Sequence, residues 1–374
     1  MGVCLNSKVS ASNGATRDKG GVERLRDEMR DNPIKDQNRF SQKLELAKRN
    51  TAEIINEAEL EQLLAAKNRP SVYLGRAVTG PLHLGHLISL SKLLDLQKAG
   101  FEAIVLLADI HAALDDLKSG WEDLEKRTEY TKKAIELSIN WHEKPKFVKG
   151  SDFQLSREYE MDMFKFSTLL TVNGAMHAAS EVTRMKNPKV SELIYPIMQA
   201  LDEHYLSVDM QLGGLDQRHI MVMARQFLPR LGYRKNVELM MPLMPSLLGP
   251  GMKMSSSIVG TNLKVNASEI EIAQTVKQAY CPAGVVKDNP LLEFASLFVL
   301  PNEGRFVVER ESKFGGDLEV GSDAELREAF AAKKLHPLDL KNFEIKYLTR
   351  KLERARTYFE SNQDLLKELG PRFQ

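Results

Sequence analysis

Between residues 71 and 108 the sequence alternates in a way that few folds accommodate. Ser71-Val72-Tyr73-Leu74-Gly75 reads as a short strand, and a turn punctuated by Gly75, Gly80 and Pro81 follows it. Leu84, Leu87, Leu90 and Leu94 then share one helical stripe that stops at Gly100. The next run, Ala103-Ile104-Val105-Leu106-Leu107-Ala108, is apolar at every position and so suits a strand covered on both faces. Strand, helix and buried strand in this order make a right-handed βαβ crossover, the unit of a doubly wound parallel sheet. Such sheets bind ligands at the carboxyl ends of their strands.

The alternation continues downstream. Periodicity predicts helices over 121–142, 159–170 and 216–228, and strands over 146–149 and 208–212, the last ending at Gly213-Gly214. Upstream, Leu44, Ala47, Ile54, Ile55, Leu60, Leu63 and Leu64 read as one helix from Phe40 until Asn68-Arg69-Pro70 stops it. Beyond Ser268 helices are expected over 269–280, 323–332 and 341–369. Residues 1–38 mix Ser, Gly, Asn and charges of both signs with few large apolar groups, and are expected to form a flexible leader. The expected organisation is that leader, an α/β domain over 39–262 and a mostly helical domain over 263–374.

Composition narrows the function. The chain has 374 residues, with 52 Lys plus Arg against 51 Asp plus Glu, a formal charge of +1. Binding nucleic acid by bulk basicity is excluded, so any such contact must be local. Cys4 and Cys281 lie too far apart in sequence for a metal knuckle and offer no disulfide framework, which fits a reducing compartment. No run approaches the ~18 to 20 apolar residues of a membrane span, and a soluble, cytoplasmic protein is expected. The leader carries Asp18, Glu23, Asp27, Glu28 and Asp31, unlike a transit peptide, and Asn6 stands where a myristoylation signal needs Ser or Thr.

Two short motifs carry chemistry. His83-Leu84-Gly85-His86 falls where a strand-turn enters a helix, placing two imidazoles on one side of the first turn. Free amides at that terminus are expected to favour phosphate, and Gly85 would allow a base or phosphate to approach the backbone. Lys253-Met254-Ser255-Ser256-Ser257, after Gly249-Pro250-Gly251, is a loop with one cation and three hydroxyls. Either motif alone has a plain structural explanation, as a helix cap or a solvated loop. In this order they resemble the two signature motifs of class I aminoacyl-tRNA synthetases, whose second motif usually reads Lys-Met-Ser-Lys-Ser.

The resemblance narrows on six further segments: 73–80, Ala108-Asp109-Ile110-His111-Ala112, Tyr195-Pro196-Ile197-Met198-Gln199, Ala200-Leu201-Asp202-Glu203-His204-Tyr205-Leu206, Gly213-Gly214-Leu215-Asp216-Gln217-Arg218 and His336-Pro337-Leu338-Asp339-Leu340-Lys341. Together they resemble the tyrosyl-tRNA synthetases of the archaeal and eukaryotic cytosolic type, from about Phe40 onward. That family has a Rossmann-like catalytic domain and a helical anticodon-binding domain. The resemblance implies ligation of L-tyrosine to tRNA(Tyr) through a tyrosyl-adenylate, with ATP as substrate and Mg²⁺ carried on it. It also implies a homodimer whose surface is formed by an insertion around 112–190.

Site residues follow from the same resemblance. Tyr73 and Asp202 are expected on the substrate phenol, and Tyr195, Gln199 and Gln217 at its ammonium. The spacing of Tyr195, Gln199 and Asp202 independently puts them on one helical face, with Ile194, Pro196, Met198 and Leu201 around them. His83, His86 and Lys253 are expected to stabilise the phosphate, and Gly75, Gly85, Gly213, Asp216, Met254, Ser255 and Ser257 to hold ATP, Asp216 through its ribose. Ser256 replaces the second lysine, which leaves Lys253 as the principal cation of the 249–262 loop. For tRNA, Arg218 and His219 are expected near the acceptor end, and Phe314, His336 and Asp339 at the anticodon. His219 stands where relatives usually have Lys, and Phe314 by sequence is as compatible with a core position. A tryptophan enzyme of the same architecture is the nearest rival, and a catalytically silent paralogue that binds RNA or protein is another.

Overall fold

The computed structural model describes residues 33–115, 119–182, 187–254 and 260–374, and divides the chain into two compact units, 1–42 and 43–374. Of the first unit only 33–42 are described, and they are helical, the start of α1 (Pro33–Lys48). The helix therefore begins inside the segment expected to be a flexible leader. The rest of that leader lies outside the described residues.

The second unit is built on a six-stranded sheet. Its strands are β1 (Glu53–Ile55), β2 (Ser71–Ala77), β3 (Glu102–Ala108), β4 (Lys146–Lys149), β5 (Met210–Gly214) and β6 (Val237–Met241), in the order β1-β6-β5-β2-β3-β4. All neighbours are parallel except β1, which runs antiparallel to β6. The chain winds outward from β2 in both directions, so the strand order reverses there. That topological switch point opens the crevice in which such sheets bind ligands. β2 and β3 pair from Ser71↔Glu102 to Ala77↔Ala108, so both strands deliver their carboxyl ends to the same rim.

Helices cover both faces. α2 (Glu57–Ala66) leads into β2, α3 (Leu84–Lys98) is the crossover to β3, and α4 (Asp109–Leu114) and α5 (Leu124–Ser138) precede β4. α6 (Arg157–Ser167), α7 (Val172–Ala179) and α8 (Val190–Tyr205) lead to β5, and α9 (Arg218–Phe227) connects β5 to β6. The apolar face of α8, with Tyr195, Met198 and Leu201, packs in one cluster with Tyr159 and Phe166 of α6 and Ile220 and Ala224 of α9. A two-stranded ribbon, β7 (Pro245–Ser246) and β8 (Gly249–Lys253), follows the sheet. Beyond it lie α10 (Glu269–Gln278), α11 (Pro290–Phe294), the ribbon β9 (Phe306–Val308) with β10 (Leu318–Val320), α12 (Asp323–Ala331), α13 (Pro337–Lys351), α14 (Glu353–Glu360) and α15 (Gln363–Leu369).

Three elements depart from the sequence expectation. The single helix read from Phe40 to Asn68 is interrupted by β1, because Asn50 and Asn56 take positive φ (59° each) and the segment between them pairs with the edge of β6. Asparagine tolerates that conformation better than most residues, so the chain turns there twice. β6 itself was not anticipated, since Val237-Glu238-Leu239-Met240-Met241 carries a buried glutamate in an apolar run. The long helix expected over 341–369 is three helices, α13 to α15.

Candidate active site

The first signature motif closes on itself. His83 is extended (φ −139°, ψ 173°) and caps α3, its Nδ1 accepting from the Gly85 amide at 3.2 Å. His86 Nδ1 accepts from the His83 amide at 3.1 Å, and the two rings lie 3.6 Å apart. With Nδ1 the acceptor in both rings, Nε2 carries the proton and is the atom each can offer to a ligand. Burial, reinforced by the Arg76 charge, holds both imidazoles well below their usual pKa, so both are neutral at pH 7.

One expectation is corrected here. The amides at the start of α3 are not free: Leu84 N donates to Leu263 O, Gly85 N to His83 Nδ1 and to Met254 Sδ, and His86 N to His83 O. The histidines and residues around 263 satisfy the terminus that a phosphate was expected to meet. A Cβ at Gly85 would be tight, 3.1 Å from the His83 ring and 3.3 Å from Met254 Sδ, so either neighbour would have to shift by a few tenths of an ångström. Met254 is buried and thereby joins the second motif to the first. Lys253 ends β8, which pairs with β7 (Pro245↔Lys253), but its side chain, and all of Ser255 and Ser257, lie outside the described residues.

At the carboxyl ends of β2 and β5 a cavity of about 380 Å³ opens between α3 and α8. Its wall includes Tyr73, Gly75, His83, Gly85, His86, Tyr195, Gln199, Asp202, Gly213, Asp216, Gln217 and Met254. The residues named from the resemblance for tyrosine and ATP, where described, thus meet in one hollow. Tyr73 stands on β2 with its hydroxyl donating to the Gln199 carbonyl at 3.3 Å. Asp202, on the inner face of α8, accepts at Oδ1 from Gln154 Nε2 and from the Tyr159 hydroxyl, each at 2.8 Å. His111 Nε2 lies 3.7 Å from its Oδ2. Burial raises the Asp202 carboxyl to about 7, although those two hydrogen bonds oppose the shift. Tyr73 and Tyr195 are pushed up by burial and stay protonated.

Sequence reasoning missed the residues that hold Asp202. Gln154 ends the short helix Ser151–Gln154, and Tyr159 lies in α6, neither within a recognisable motif. Gly150 allows Gln154 and Asp109 to approach, since a Cβ there would sit 2.6 Å from Gln154 Oε1 and 2.8 Å from Asp109 Oδ1. Asp109 Oδ1 in turn accepts from the Ser151 amide at 2.9 Å, which fixes the start of that helix. His111 lay in a quoted segment without a role, and burial lowers it to about 4, so it is neutral. Behind Tyr73, Glu203 of α8 and Glu238 of β6 are both fully buried, and burial pushes both carboxyls upward. Arg76 and Arg372 also line the cavity and were not singled out.

The residues expected to meet tRNA lie elsewhere. Arg218 opens α9 and forms a two-pronged pair with Glu53 of β1, at 2.8 and 3.0 Å. His219 lies against the exposed His177, ring centroids 4.2 Å apart and the planes tilted by 30°. Phe314 is 60% exposed at the end of a helical turn, which excludes the core position its sequence allowed. His336 is exposed and caps α13, accepting from Leu338 N at 3.1 Å, and Asp339 follows in its first turn. His142 is exposed.

Comparison with known proteins agrees with the geometry. The family model for class I tRNA synthetases (W and Y) matches residues 65–347. The tyrosine–tRNA ligase of Archaeoglobus fulgidus is 47% identical over 319 residues, covering 85% of this chain and 97% of that one. A cytoplasmic tyrosine–tRNA ligase of Danio rerio is 39% identical over 88% of this chain and 62% of its own length. The crystal structure of the Archaeoglobus fulgidus tyrosyl-tRNA synthetase complexed with L-tyrosine superposes with a TM-score of 0.81 at 46% identity, covering 85% of this chain and 99% of that one. On its fold, on this cavity and on these similarities, the chain belongs to the class I tRNA synthetases, among the tyrosyl-tRNA synthetases.

Proposed function

We propose that the cavity between α3 and α8 activates L-tyrosine with ATP, the first half of the tyrosine–tRNA ligase reaction. The tyrosine carboxylate attacks the α-phosphorus, the bond to the β-phosphate oxygen breaks, and pyrophosphate leaves. The adenylate then passes its tyrosyl group to the terminal ribose of tRNA(Tyr), releasing AMP. A carboxylate needs no further activation as a nucleophile, so the protein's task is positioning and stabilisation of phosphate charge.

In this reading the substrate phenol lies between Tyr73 and Asp202, its ammonium meets Tyr195, Gln199 and Gln217, and Asp216 holds the ATP ribose. His83 and His86 donate through Nε2 to the phosphates, and Lys253 adds a charge from its loop with Ser255 and Ser257. Gly75, Gly85, Gly213 and Met254 line the ATP side. Mg²⁺ enters as MgATP, bound by phosphate oxygens, and among the described residues no group of three or more His, Cys, Asp or Glu gathers as a metal site. The observation that carries the reading is Asp202, a buried carboxyl with two fixed donors on Oδ1, within one hollow with the Tyr73 phenol and both histidines. An indole N–H can donate to Asp202 but brings no hydroxyl oxygen to meet Tyr73, so it satisfies one side of the hollow where a phenol satisfies both. The matching of a tryptophanyl-tRNA synthetase from Giardia lamblia, at 15% identity and a TM-score of 0.64, concerns the fold alone.

Domain roles follow. The α/β portion over 39–262 is the catalytic domain and 263–374 the anticodon-binding domain, with the exposed Phe314 to stack on a base and Asp339 to accept from a base edge. Arg218 and His219 serve the acceptor end, which requires Arg218 to exchange Glu53 for phosphate. The test is tyrosine-dependent ATP–pyrophosphate exchange by the purified chain, with tRNA(Tyr) charging measured beside it. Phe314→Ala is expected to lower charging efficiency roughly tenfold, the size of one lost stacking contact, with exchange unchanged. Exchange driven by tryptophan, or none at all, rejects the tyrosine reading, and equal loss of exchange and charging in Phe314→Ala rejects the anticodon role.

A homodimer is part of the proposal. α6, α7 and the short helix before them expose Leu155 (61%), Met161, Phe164 (60%) and Val172, a set of large apolar groups within 112–190 that a second copy would cover. Phe164→Glu is expected to turn a dimer into a monomer in sedimentation equilibrium, and a wild-type monomer at micromolar concentration defeats the idea. The cytoplasm is the proposed location, by likeness to the cytoplasmic Danio rerio enzyme. No helix among the described residues is long and apolar enough to cross a membrane.

A further inference from the structure

We propose that Arg76 and Arg372 are phosphate-binding residues of this cavity, gripping the ATP triphosphate. The inference rests on the activity proposed above and adds two residues to it.

The start of α3 is short of free donors. Its first amides are already bonded to Leu263, to His83 and Met254, and within the turn. Both histidines are neutral, so each brings one N–H and no charge. ATP carries several negative charges into a cavity whose wall already holds Asp115, Glu192, Asp202 and Asp216. Among the described residues of that wall, the permanently charged cations are Arg76 and Arg372.

Arg76 occupies the next-to-last position of β2, and strand alternation sends it to the opposite face from Tyr73 and Gly75. It lines the cavity, and its charge acts on His83 and His86 as well as on Tyr195 and Asp216. It is half-buried, and among the described residues it makes no hydrogen bond or ion pair. Burial lowers it to about 10, with Tyr195 and Asp216 opposing the shift, so it stays charged at pH 7. A guanidinium without a protein partner beside two N–H donors suits an oxyanion, and its planar fork matches phosphate.

Arg372 arrives from the far end of the chain and is held in place. Phe373 beside it is buried against Tyr130, ring centroids 4.9 Å apart, with the Arg127 guanidinium 5.2 Å over its ring. Asn266 Nδ2 donates to the Phe373 carbonyl at 2.8 Å, and Lys264 Nζ to the Gln374 carbonyl. The same stretch pairs with the first motif, through Leu84 N to Leu263 O and Val265 N to Leu82 O. Arg372 itself remains exposed and makes no hydrogen bond or ion pair among the described residues. Its neighbours are fixed while its head is left at the rim of the cavity.

The test uses the full chain and separates ATP from tyrosine. Affinity for a non-hydrolysable ATP analogue and for tyrosine alone is measured by equilibrium dialysis on wild type, Arg76→Gln, Arg76→Lys and Arg372→Ala, followed by pyrophosphate-exchange kinetics. Arg76→Gln is expected to weaken the analogue and raise KM for ATP roughly ten- to hundredfold, the cost of a lost hydrogen bond to a charged group, while tyrosine affinity stays within twofold. Arg76→Lys should recover part of the loss and Arg372→Ala should show a smaller loss of the same kind. Unchanged ATP affinity in Arg76→Gln overturns the proposal, as does an equal loss of tyrosine affinity, which would make Arg76 an amino-acid contact. Should wild type bind the analogue but show no tyrosine-dependent exchange, the proposed function fails while the dialysis still decides the role of the arginines. A melting temperature for each variant identifies misfolding, in which case Arg76→Lys decides: wild-type ATP affinity sustains a cation at this position and a loss as large as that of Gln rejects it.

Discussion

Asp202→Ala is expected to lower kcat/KM for tyrosine about a hundredfold, roughly 3 kcal/mol of transition-state binding, while KM for ATP changes little. The substitution removes an acceptor for the substrate phenol, leaves Gln154 Nε2 with only the long contact to His111 Nδ1 at 3.5 Å, and leaves the Tyr159 hydroxyl with the Met198 carbonyl alone. Asp202→Asn keeps the shape and loses the charge, so its loss should be smaller. The pH profile gives an independent check. With the carboxyl raised to about 7, kcat/KM for tyrosine in wild type should rise between pH 6 and 8 as the carboxylate forms, and the rise should vanish in Asp202→Asn. Stability runs the other way. Folded Asp202 holds its proton above the usual carboxylate range, so between about pH 4 and 7 the folded chain binds more protons than the unfolded one, and its contribution to stability declines as pH rises. Equal damage to tyrosine and ATP in Asp202→Ala would mean that the pocket is misassigned.

His86→Gln should cut the exchange rate constant roughly a hundred- to thousandfold with smaller changes in either KM, the loss seen when one preorganised donor to developing charge is removed. Its Nδ1 is tied to the His83 amide, so the ring cannot turn and Nε2–H is fixed as the donor. Glutamine can offer an N–H but has no comparable brace. Because both imidazoles are already neutral, with rings 3.6 Å apart, kcat in wild type should show no inflection from them between pH 6 and 8. A rate that falls as pH rises through that range in wild type, and does so no longer in His86→Gln, would mean the ring acts as a cation. Rate and KM unaffected by the substitution would remove His86 from the mechanism.

The expectation of free amides at the start of α3 failed for a reason that sequence cannot display. His83 and His86 were expected to serve a ligand, yet their Nδ1 atoms cap their own helix, which leaves only Nε2 to offer. A residue with two distinct nitrogens can do both at once. The Leu263 carbonyl that takes the Leu84 amide comes from a segment almost two hundred residues away, and only the folded chain brings it there.

Residue order by itself determined the layers, the crossover at β2 and β3, the face of α8 and the family, because hydrophobic period and short motifs act over a few turns of chain. Tyr195, Gln199 and Asp202 were legible as one face since helical geometry is local. What tertiary structure alone decided was who stands behind them. Gln154 and Tyr159 reach Asp202 from two elements with no motif, β1 becomes a strand because an edge of β6 is there to pair with, and Arg372 comes to the cavity rim because Phe373 is anchored beside Tyr130. A buried carboxyl takes its pKa, and a guanidinium its lack of a partner, from groups remote in sequence, so neither can be read until the chain has closed around them.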